Sequence, residues 1–230
     1  MAPPARARSS LRILIVEDHT LFAESLELAL SMEGYDVRRM AVSEMRGSQA
    51  ALVSAIVRLH PRIVLLDLDL GHFGDGVRII APLARAGIWV VVVTASPDES
   101  RWGQCLRYGA RKVLSKTRPL NEIMATVRRL NQGLPVIDRE ERERLLTAWH
   151  RDREDQEELH LRLERLTGRE RQVLGNLMEG NTVRDISRAS VVSEATVRTQ
   201  IKSILAKLEV SSQLAAVGLA HKVGWRPPTP

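Results

Sequence analysis

The most constraining feature of this sequence is an alternation, between residues 11 and 130, of short apolar runs with segments of helical periodicity. The apolar runs at residues 11–16, 63–70 and 88–93 have the length and composition of buried strands, and residues 35–39 and 111–114 are predicted as short strands. The segments between them, such as residues 43–59, place apolar residues three and four apart. This order predicts an α/β fold, a doubly wound five-stranded parallel sheet with a helix after each strand.

Polar side chains stand at the ends of these predicted strands. Glu17 and Asp18 follow the first strand, Asp67 ends the third, Thr94 ends the fourth, and Lys116 follows the fifth. Because the carboxyl ends of parallel strands meet at one edge of a sheet, we expect these groups to converge there. Several carboxylates and a lysine are favourable in one crevice when a cation and an anion share it. We therefore predict a site for Mg²⁺ and a phosphoryl group.

Within that site each residue type has a chemical role. Asp67 is the predicted nucleophile that accepts the phosphoryl group. Lys116 would pair with the phosphoryl oxygens, and the Thr94 hydroxyl would donate a hydrogen bond to one of them. For Asp67 by itself, the simpler alternative is an aspartate that caps the next helix.

Charge and composition narrow the class of protein. The net charge of +6 indicates an anionic partner, and Lys and Arg outnumber Asp and Glu both before residue 138 and after residue 165. The single cysteine, Cys105, excludes an internal disulfide and fits a reducing compartment. No apolar run is long enough to span a membrane, and no signal-peptide core follows the N-terminus. We expect a cytoplasmic protein that does not associate with membranes.

An acidic connector separates the two basic parts of the chain. Residues 138–165 contain neither Gly nor Pro and are rich in Glu, Arg and Leu, which predicts one long helix. Seven residues along it are spaced alternately four and three positions apart, which is a heptad seam with polar residues in its middle. This seam indicates either a dimerising coiled coil or a linker helix that contacts its own domains. The seam consists of Leu145, Trp149, Asp152, Gln156, Leu159, Leu163 and Leu166.

From Leu166 onward the pattern changes to short amphipathic helices. Thr167 with Glu170 forms a capping-box sequence, Thr182 with Asp185 forms a weaker one, and Ser193 precedes a third helix. Two helices joined by a tight turn, with basic and hydroxyl groups on the second, are typical of a helix-turn-helix that reads double-stranded DNA.

Residues 11–132 resemble the receiver domain of two-component response regulators. The resemblance implies Mg²⁺ as cofactor and a sensor histidine kinase as partner. In that family the matching positions are the acidic metal-binding pair (Glu17, Asp18), the phosphoacceptor (Asp67), the position whose main-chain carbonyl helps bind the metal (Asp69), the switch hydroxyl (Thr94) and the invariant lysine (Lys116).

Residues 166–222 resemble the LuxR-type helix-turn-helix of the NarL/FixJ subclass, on motifs that include Ser193-Glu194-Ala195-Thr196-Val197-Arg198. This resemblance implies a transcription regulator, not an enzyme, that binds promoter DNA and forms a homodimer through its linker helix or receiver. The expected organisation is a disordered arm at residues 1–10, a receiver at 11–132, a helical linker at 133–165, a DNA-binding domain at 166–222 and a disordered tail at 223–230. The DNA-binding residues implied are Thr196, Arg198, Thr199, Gln200, Lys202 and Lys207.

Two alternatives stay open at the level of sequence. The loop Gly71–Gly76 lacks the family's proline and is longer, and Val113 occupies the position of an aromatic residue that moves on phosphorylation. These departures motivate one alternative to control by phosphorylation of Asp67, a pseudo-receiver controlled by a ligand, a partner or dimerisation. The sequence Asp67-Leu68-Asp69 also resembles the signature of haloacid-dehalogenase phosphatases, but here the acidic pair precedes the nucleophile instead of following the lysine.

Overall fold

The computed structural model describes residues 11–227, so the predicted N-terminal arm at residues 1–10 and residues 228–230 lie outside it. The five predicted strands are present and form one parallel sheet in the order β2-β1-β3-β4-β5. This confirms the predicted fold class. The strands are β1 (Arg12–Glu17), β2 (Asp36–Ala41), β3 (Ile63–Leu66), β4 (Trp89–Thr94) and β5 (Lys112–Ser115).

Five helices cover the two faces of the sheet. Alternate residues of a strand point to opposite faces, so Val64 and Leu66 join one buried cluster while Ile63 and Leu65 join the other. All four side chains are at most 2% exposed, which is why the strand is a continuous apolar run. The helices are α1 (Thr20–Met32), α2 (Gln49–Arg58), α3 (Val77–Arg85), α4 (Glu99–Arg107) and α5 (Leu120–Asn131).

The predicted helix at residues 43–59 is wrong at its beginning. A short 3-10 helix, Val42–Glu44, comes first, and the α-helix begins only at Gln49. Gly47 has a φ of +135°, which interrupts the helical backbone. Ser48 then caps α2, its hydroxyl accepting a hydrogen bond from the Ala51 amide at 3.3 Å.

The connector is one helix, α6 (Arg139–Glu164), and the chain divides into two compact units between His150 and Arg151, inside it. Leu145 is buried in a core cluster of the first unit, and Leu163 and Leu166 are buried in the core of the second. The apolar ends of the predicted seam are thus occupied within this chain, as the linker interpretation expects. In the middle of the seam, the Gln156 amide donates a hydrogen bond to Asp152 at 2.8 Å.

The second unit contains the predicted short helices α7 (Gly168–Met178), α8 (Val183–Ser190), α9 (Glu194–Leu208) and α10 (Gln213–Lys222). Both capping boxes form, at Thr167 with Glu170 and at Thr182 with Asp185. Among residues 11–227, no single helix is both long and apolar enough to cross a membrane. Only α9 and α10 taken together, across a bend of 53°, pass that test of length and composition.

The predicted disordered tail is wrong for residues 223–227. Trp225 is partly buried against the core of the second unit, because its large apolar ring gains from leaving water. The Pro227 ring lies against Gly175, where an added Cβ would come within 2.8 Å of it. The chain end therefore packs against α7 as far as residue 227.

Candidate functional site

The carboxyl edge of the sheet brings together Glu17, Asp67 and Lys116, as the sequence predicted. The Lys116 ammonium donates hydrogen bonds to Glu17 Oε1 and Asp67 Oδ2, both at 2.7 Å. The two carboxylates are only 7% and 3% exposed, and they come from β1 and the end of β3. Lys116 follows Glu17 by 99 positions and Asp67 by 49 positions in the sequence, so this ion-pair network joins distant parts of the chain.

The electrostatics of this network keep the lysine charged. Burial raises the pKa of Glu17, and this outweighs the hydrogen bond from Lys116 that lowers it; the nearby Asp67 charge raises it further. Burial also acts to lower the pKa of Lys116, but its hydrogen bonds to Asp67 and Glu17 outweigh that effect, so this pKa is raised. One ammonium therefore pairs with two buried carboxylates, so this edge of the sheet has more negative than positive charge.

Asp18 and His19 extend the network towards solvent. With Glu17 and Asp67 they form a group whose ligand atoms all lie within 4.8 Å of one another. Asp18 Oδ1 is buried and receives no hydrogen bond within the described residues, although the His19 ring nitrogen is 2.9 Å away. Carboxylate oxygens of this kind suit a hard divalent cation. The residues present therefore fit the predicted metal.

Thr94 reaches the same edge but is not hydrogen bonded to the carboxylates in the described part of the chain. It is 3% exposed, and its hydroxyl accepts a hydrogen bond from the Ser96 amide at 3.2 Å. Its main-chain oxygen accepts from the Lys116 amide at 2.8 Å, so Thr94 and Lys116 are joined through the backbone. The side chain of Asp69 is exposed and lies outside the cluster; the role of its carbonyl stays a prediction.

The loop after Asp67 is a closed, ordered turn. The Leu68 amide donates to Asp67 Oδ1 at 2.7 Å, and the Gly76 amide donates to the Leu68 carbonyl at 2.8 Å. A Cβ on Gly76 would lie 2.5 Å from the Asp67 carbonyl, so only glycine allows this approach. The longer loop is accommodated by folding back on itself, with Phe73 buried beneath it.

In the second unit, α9 packs against α7 and α8 through Val197, Ile201 and Ile204, and presents a polar face to solvent. Arg198 also pairs with Glu194 at 2.8 Å, an exposed contact that costs little to break. The predicted DNA-binding residues that are exposed on this helix are Thr196, Arg198, Thr199 and Lys202.

The other two predicted DNA-binding residues lie differently. Gln200 is half-buried, and its Oε1 atom is buried without a hydrogen bond within the described residues. The Lys207 ammonium donates to Glu170 at 2.7 Å, inside the domain. For Lys207 the structure therefore shows an ion pair within the domain, and its contact with DNA stays a prediction.

The sequence analysis missed the role of His19 and most contacts of Glu170. His19 lies 3.0 Å from Glu17 Oε1, and its position directly after the acidic pair was the available signal. Glu170 is 6% exposed and accepts hydrogen bonds from Thr167, Ser203 and Lys207. The capping-box pattern revealed its contact with Thr167 but not the two contacts with α9.

Comparison with known families and proteins agrees with this geometry. The family model "Response regulator receiver domain" matches residues 13–128, and the model "Bacterial regulatory proteins, luxR family" matches residues 164–220. The chain is 27% identical over 214 residues to the transcriptional regulatory protein LiaR of Bacillus subtilis, covering 92% of this chain and 97% of LiaR. It is also 27% identical over 231 residues to the transcriptional regulatory protein DegU of Brevibacillus brevis, covering 94% of this chain and 95% of DegU.

Among solved structures, the chain is similar in fold to the two-component response regulator RcsB in a complex with DNA. The TM-score is 0.50 at 21% identity, covering 93% of this chain and 98% of RcsB. The receiver match spans more than half of the sequence, and the second match covers the helix-turn-helix. The chain therefore belongs to the NarL/FixJ-type response regulators, two-component transcriptional regulators that join a receiver domain to a LuxR-type DNA-binding domain.

Proposed function

We propose that phosphorylation of Asp67 controls the binding of α9 to promoter DNA. The observation that carries this proposal is the Lys116 ammonium, 2.7 Å from both Asp67 and Glu17. It places a fixed cation beside the atom that would take the phosphoryl group. No comparable arrangement is needed for an aspartate that only caps a helix. Neither the pseudo-receiver nor the phosphatase interpretation is favoured by the family matches.

The reaction transfers one phosphoryl group. Asp67 Oδ attacks phosphorus, an aspartyl-phosphate bond forms, and the bond from phosphorus to the donor breaks with its electron pair leaving on the donor. The donor would be a phosphohistidine of a sensor histidine kinase. Lys116 would pair with the phosphoryl oxygens, and the Thr94 hydroxyl would donate to one of them.

The same proposal assigns Mg²⁺ to Asp18 and Asp67, with the Asp69 main-chain carbonyl and the neighbouring Glu17 completing the acidic site. When bound, the ion would neutralise charge on the transferring phosphoryl group. Asp18 is the residue best suited to hold it, since its Oδ1 atom is buried without a hydrogen bond in the described chain. Lys116 already engages Glu17, so Glu17 would act mainly by holding the lysine in place.

In the cytoplasm, the partner of the second unit would be double-stranded promoter DNA. Arg198 and Lys202 lie one turn apart on α9, where they can reach phosphates or base edges. Homodimer formation through the linker helix or the receiver belongs to the same proposal. Because Leu145 and Leu163 are buried within this chain, a dimer through the receiver would cost less rearrangement than one through the α6 seam.

Phosphorylation is tested by incubating the full chain with Mg²⁺ and acetyl phosphate and measuring its intact mass. We expect one phosphate adduct on the wild type and none on Asp67→Asn. Steady release of phosphate would support a phosphatase instead, and the absence of any adduct would support a pseudo-receiver.

DNA binding is tested on promoter fragments over a range of salt concentrations. Arg198→Ala and Lys202→Ala are each expected to weaken binding, and a lost phosphate contact reduces the slope of log affinity against log salt by about 1. Arg85→Ala, which removes an exposed arginine from α3 of the receiver, is the matched control. Unchanged affinity in both α9 variants would refute the assignment.

A further inference from the structure

Helix α4 carries two consecutive residues that hold the loops behind the phosphoacceptor site. The Arg101 guanidinium donates to Asp75 Oδ1 at 2.9 Å, in the loop after Asp67. The Trp102 indole donates through Nε1 to the Ser96 carbonyl at 2.9 Å, in the loop after Thr94. The loops that follow Asp67 and Thr94 are therefore tied to the same helix.

The next residue on α4, Gly103, lies against the backbone of α6. A Cβ at Gly103 would come within 2.0 Å of the Leu145 carbonyl oxygen and 2.8 Å of Trp149 Cβ. No side chain fits in that space, so the glycine sets how closely the two helices approach. Leu145 is 1% exposed and belongs to a core cluster of the receiver.

Two ion pairs flank this contact. Lys112 on β5 pairs with Glu141 at 2.5 Å, with side chains only 15% and 26% exposed, and Arg144 pairs with Glu99. The first half of α6, residues 139–150, is thus seated on α4 and β5 by a buried leucine, a backbone contact and charge pairs. It is part of the receiver's packing, although it continues without a break to Glu164.

We propose that Arg101, Trp102 and Gly103 form a coupling junction through which the state of Asp67 sets the seating of residues 139–150 on α4. This inference rests on the proposed function of Asp67. A Thr94 hydroxyl that turns towards a phosphoryl oxygen gives up the hydrogen bond it accepts from the Ser96 amide. Ser96 then loses that restraint but keeps the hydrogen bond that its carbonyl accepts from Trp102, and Trp102 transmits the movement of Ser96 to α4 and so to the contact at Gly103.

The buried Val113 is the reason why we assign the transmission from Thr94 to α4 to Trp102. Val113 is 2% exposed and β-branched, so it has no ring that could move into the space beside Thr94. Trp102 is partly buried against the same core cluster and holds the loop behind Thr94 directly. Its position on α4 places the coupling one residue from the contact with α6.

Transmission is tested by hydrogen exchange and mass spectrometry on the full chain, with and without Mg²⁺ and acetyl phosphate. In the wild type we expect exchange in residues 139–150 to rise about tenfold when the adduct forms, as the seat loosens. Trp102→Phe keeps the ring but removes the Nε1 donor; the adduct should still form while most of the rise is lost. Trp225→Phe, in the second unit, is the matched control and should behave as the wild type.

The seat itself is tested without phosphorylation. Gly103→Ala should raise exchange in residues 139–150 at least severalfold in the absence of the donor, because its Cβ forces α6 away. Gly218→Ala is the matched control, a helical glycine in α10 with no atom within 4 Å of an added Cβ. Glu141→Gln, a milder change at the ion pair with Lys112, gives the same readout should Gly103→Ala fail to fold.

The outcomes separate the two ideas. An adduct on the wild type with unchanged exchange in residues 139–150, or an equal rise in Trp102→Phe, would overturn the coupling junction alone. No adduct on the wild type would refute the proposed function and the coupling that rests on it. Wild-type exchange in both Gly103→Ala and Glu141→Gln would show that these contacts do not seat α6.

Discussion

The C-terminal unit should lose stability in acid through one buried carboxylate, Glu170. It accepts hydrogen bonds from the Thr167 amide, the Ser203 hydroxyl and the Lys207 ammonium, all at 2.7 Å. Burial acts to raise the pKa of Glu170, but the bonds from Lys207, Thr167 and Ser203 outweigh it and lower this pKa from 4.5 to about 2. The folded unit therefore prefers the charged carboxylate much more strongly than the unfolded chain does.

The size and sign of the effect follow from proton linkage. The difference between the two pKa values corresponds to about 3 kcal/mol of stability at neutral pH. Because the pKa in the folded state is the lower one, this stabilisation is complete above about pH 4.5 and is lost as the pH falls through about 2. About 2 kcal/mol of it should be gone at pH 3.

Glu170→Gln isolates this contribution. The variant should be about 3 kcal/mol less stable than the wild type at pH 7, since Lys207 loses its charged partner in a largely buried site. At pH 3 the difference should shrink to about 1 kcal/mol. Urea titrations of the full chain at both pH values, followed by the amide NMR signals of α7 and α9, measure both differences.

The control for this measurement is Glu164→Gln, the same chemical change on an exposed side chain. It should alter the stability of the C-terminal unit by at most about 0.5 kcal/mol at either pH. If Glu170→Gln and the wild type lose the same stability between pH 7 and pH 3, the hydrogen bonds to Glu170 do not set its titration, and the reasoning is refuted.

Three further predictions concern single positions. Val191 is 91% exposed and has a φ of +54°, a left-handed backbone conformation that is unfavourable for a β-branched residue. Val191→Asn should therefore stabilise the C-terminal unit by about 1 kcal/mol in urea unfolding. A loss of stability would contradict this. Gly76→Ala should destabilise the receiver by about 1–3 kcal/mol in thermal unfolding and lower the yield of the Asp67 adduct, whereas Gly168→Ala, with open space around it, should do neither. Burial raises the pKa of Cys105 to about 12, so Ellman's reagent should label it only as the chain unfolds; rapid labelling of the native protein would show that its site opens.

The fold could be predicted because its signals are local. The strands β1, β3 and β4 are short apolar runs buried on both faces, and the helices carry their own apolar stripes, so these signals need no knowledge of distant residues. The beginning of α2 could not be read in this way. The apolar residues that carry the spacing, Leu52, Ile56 and Leu59, all lie in the second half of the predicted segment, so they do not locate its start, whereas the backbone at Gly47 and the cap at Ser48 do.

The site was predictable for a different reason. The topology of a parallel sheet brings the strand ends together, so the sequence alone predicted that Glu17, Asp67 and Lys116 lie close to one another. What the sequence could not show are contacts between side chains and unrelated elements, such as Trp102 with Ser96 or Ser203 with Glu170. Such pairs depend on helix rotation and packing, which no spacing rule specifies. The seam of α6 illustrates the same limit, since its leucines fit either a partner helix or the chain's own cores.

The two ion pairs of Lys116 bear on how Asp67 could be both an ion-pair partner and the proposed nucleophile. A buried carboxylate held by its own lysine alone would lose that pairing once its charge moved outward onto a phosphoryl group. Here the ammonium has a second fixed partner, Glu17, also at 2.7 Å, so it keeps a buried counter-charge whatever the state of Asp67. The raised pKa of Lys116 keeps it cationic, with its hydrogen bonds to both carboxylates outweighing its burial. Glu17 therefore holds the Lys116 ammonium in place. From that position Lys116 could pair with the phosphoryl oxygens instead of the Asp67 carboxylate, so phosphorylation would shift the negative charge that Lys116 contacts without removing its ion pair.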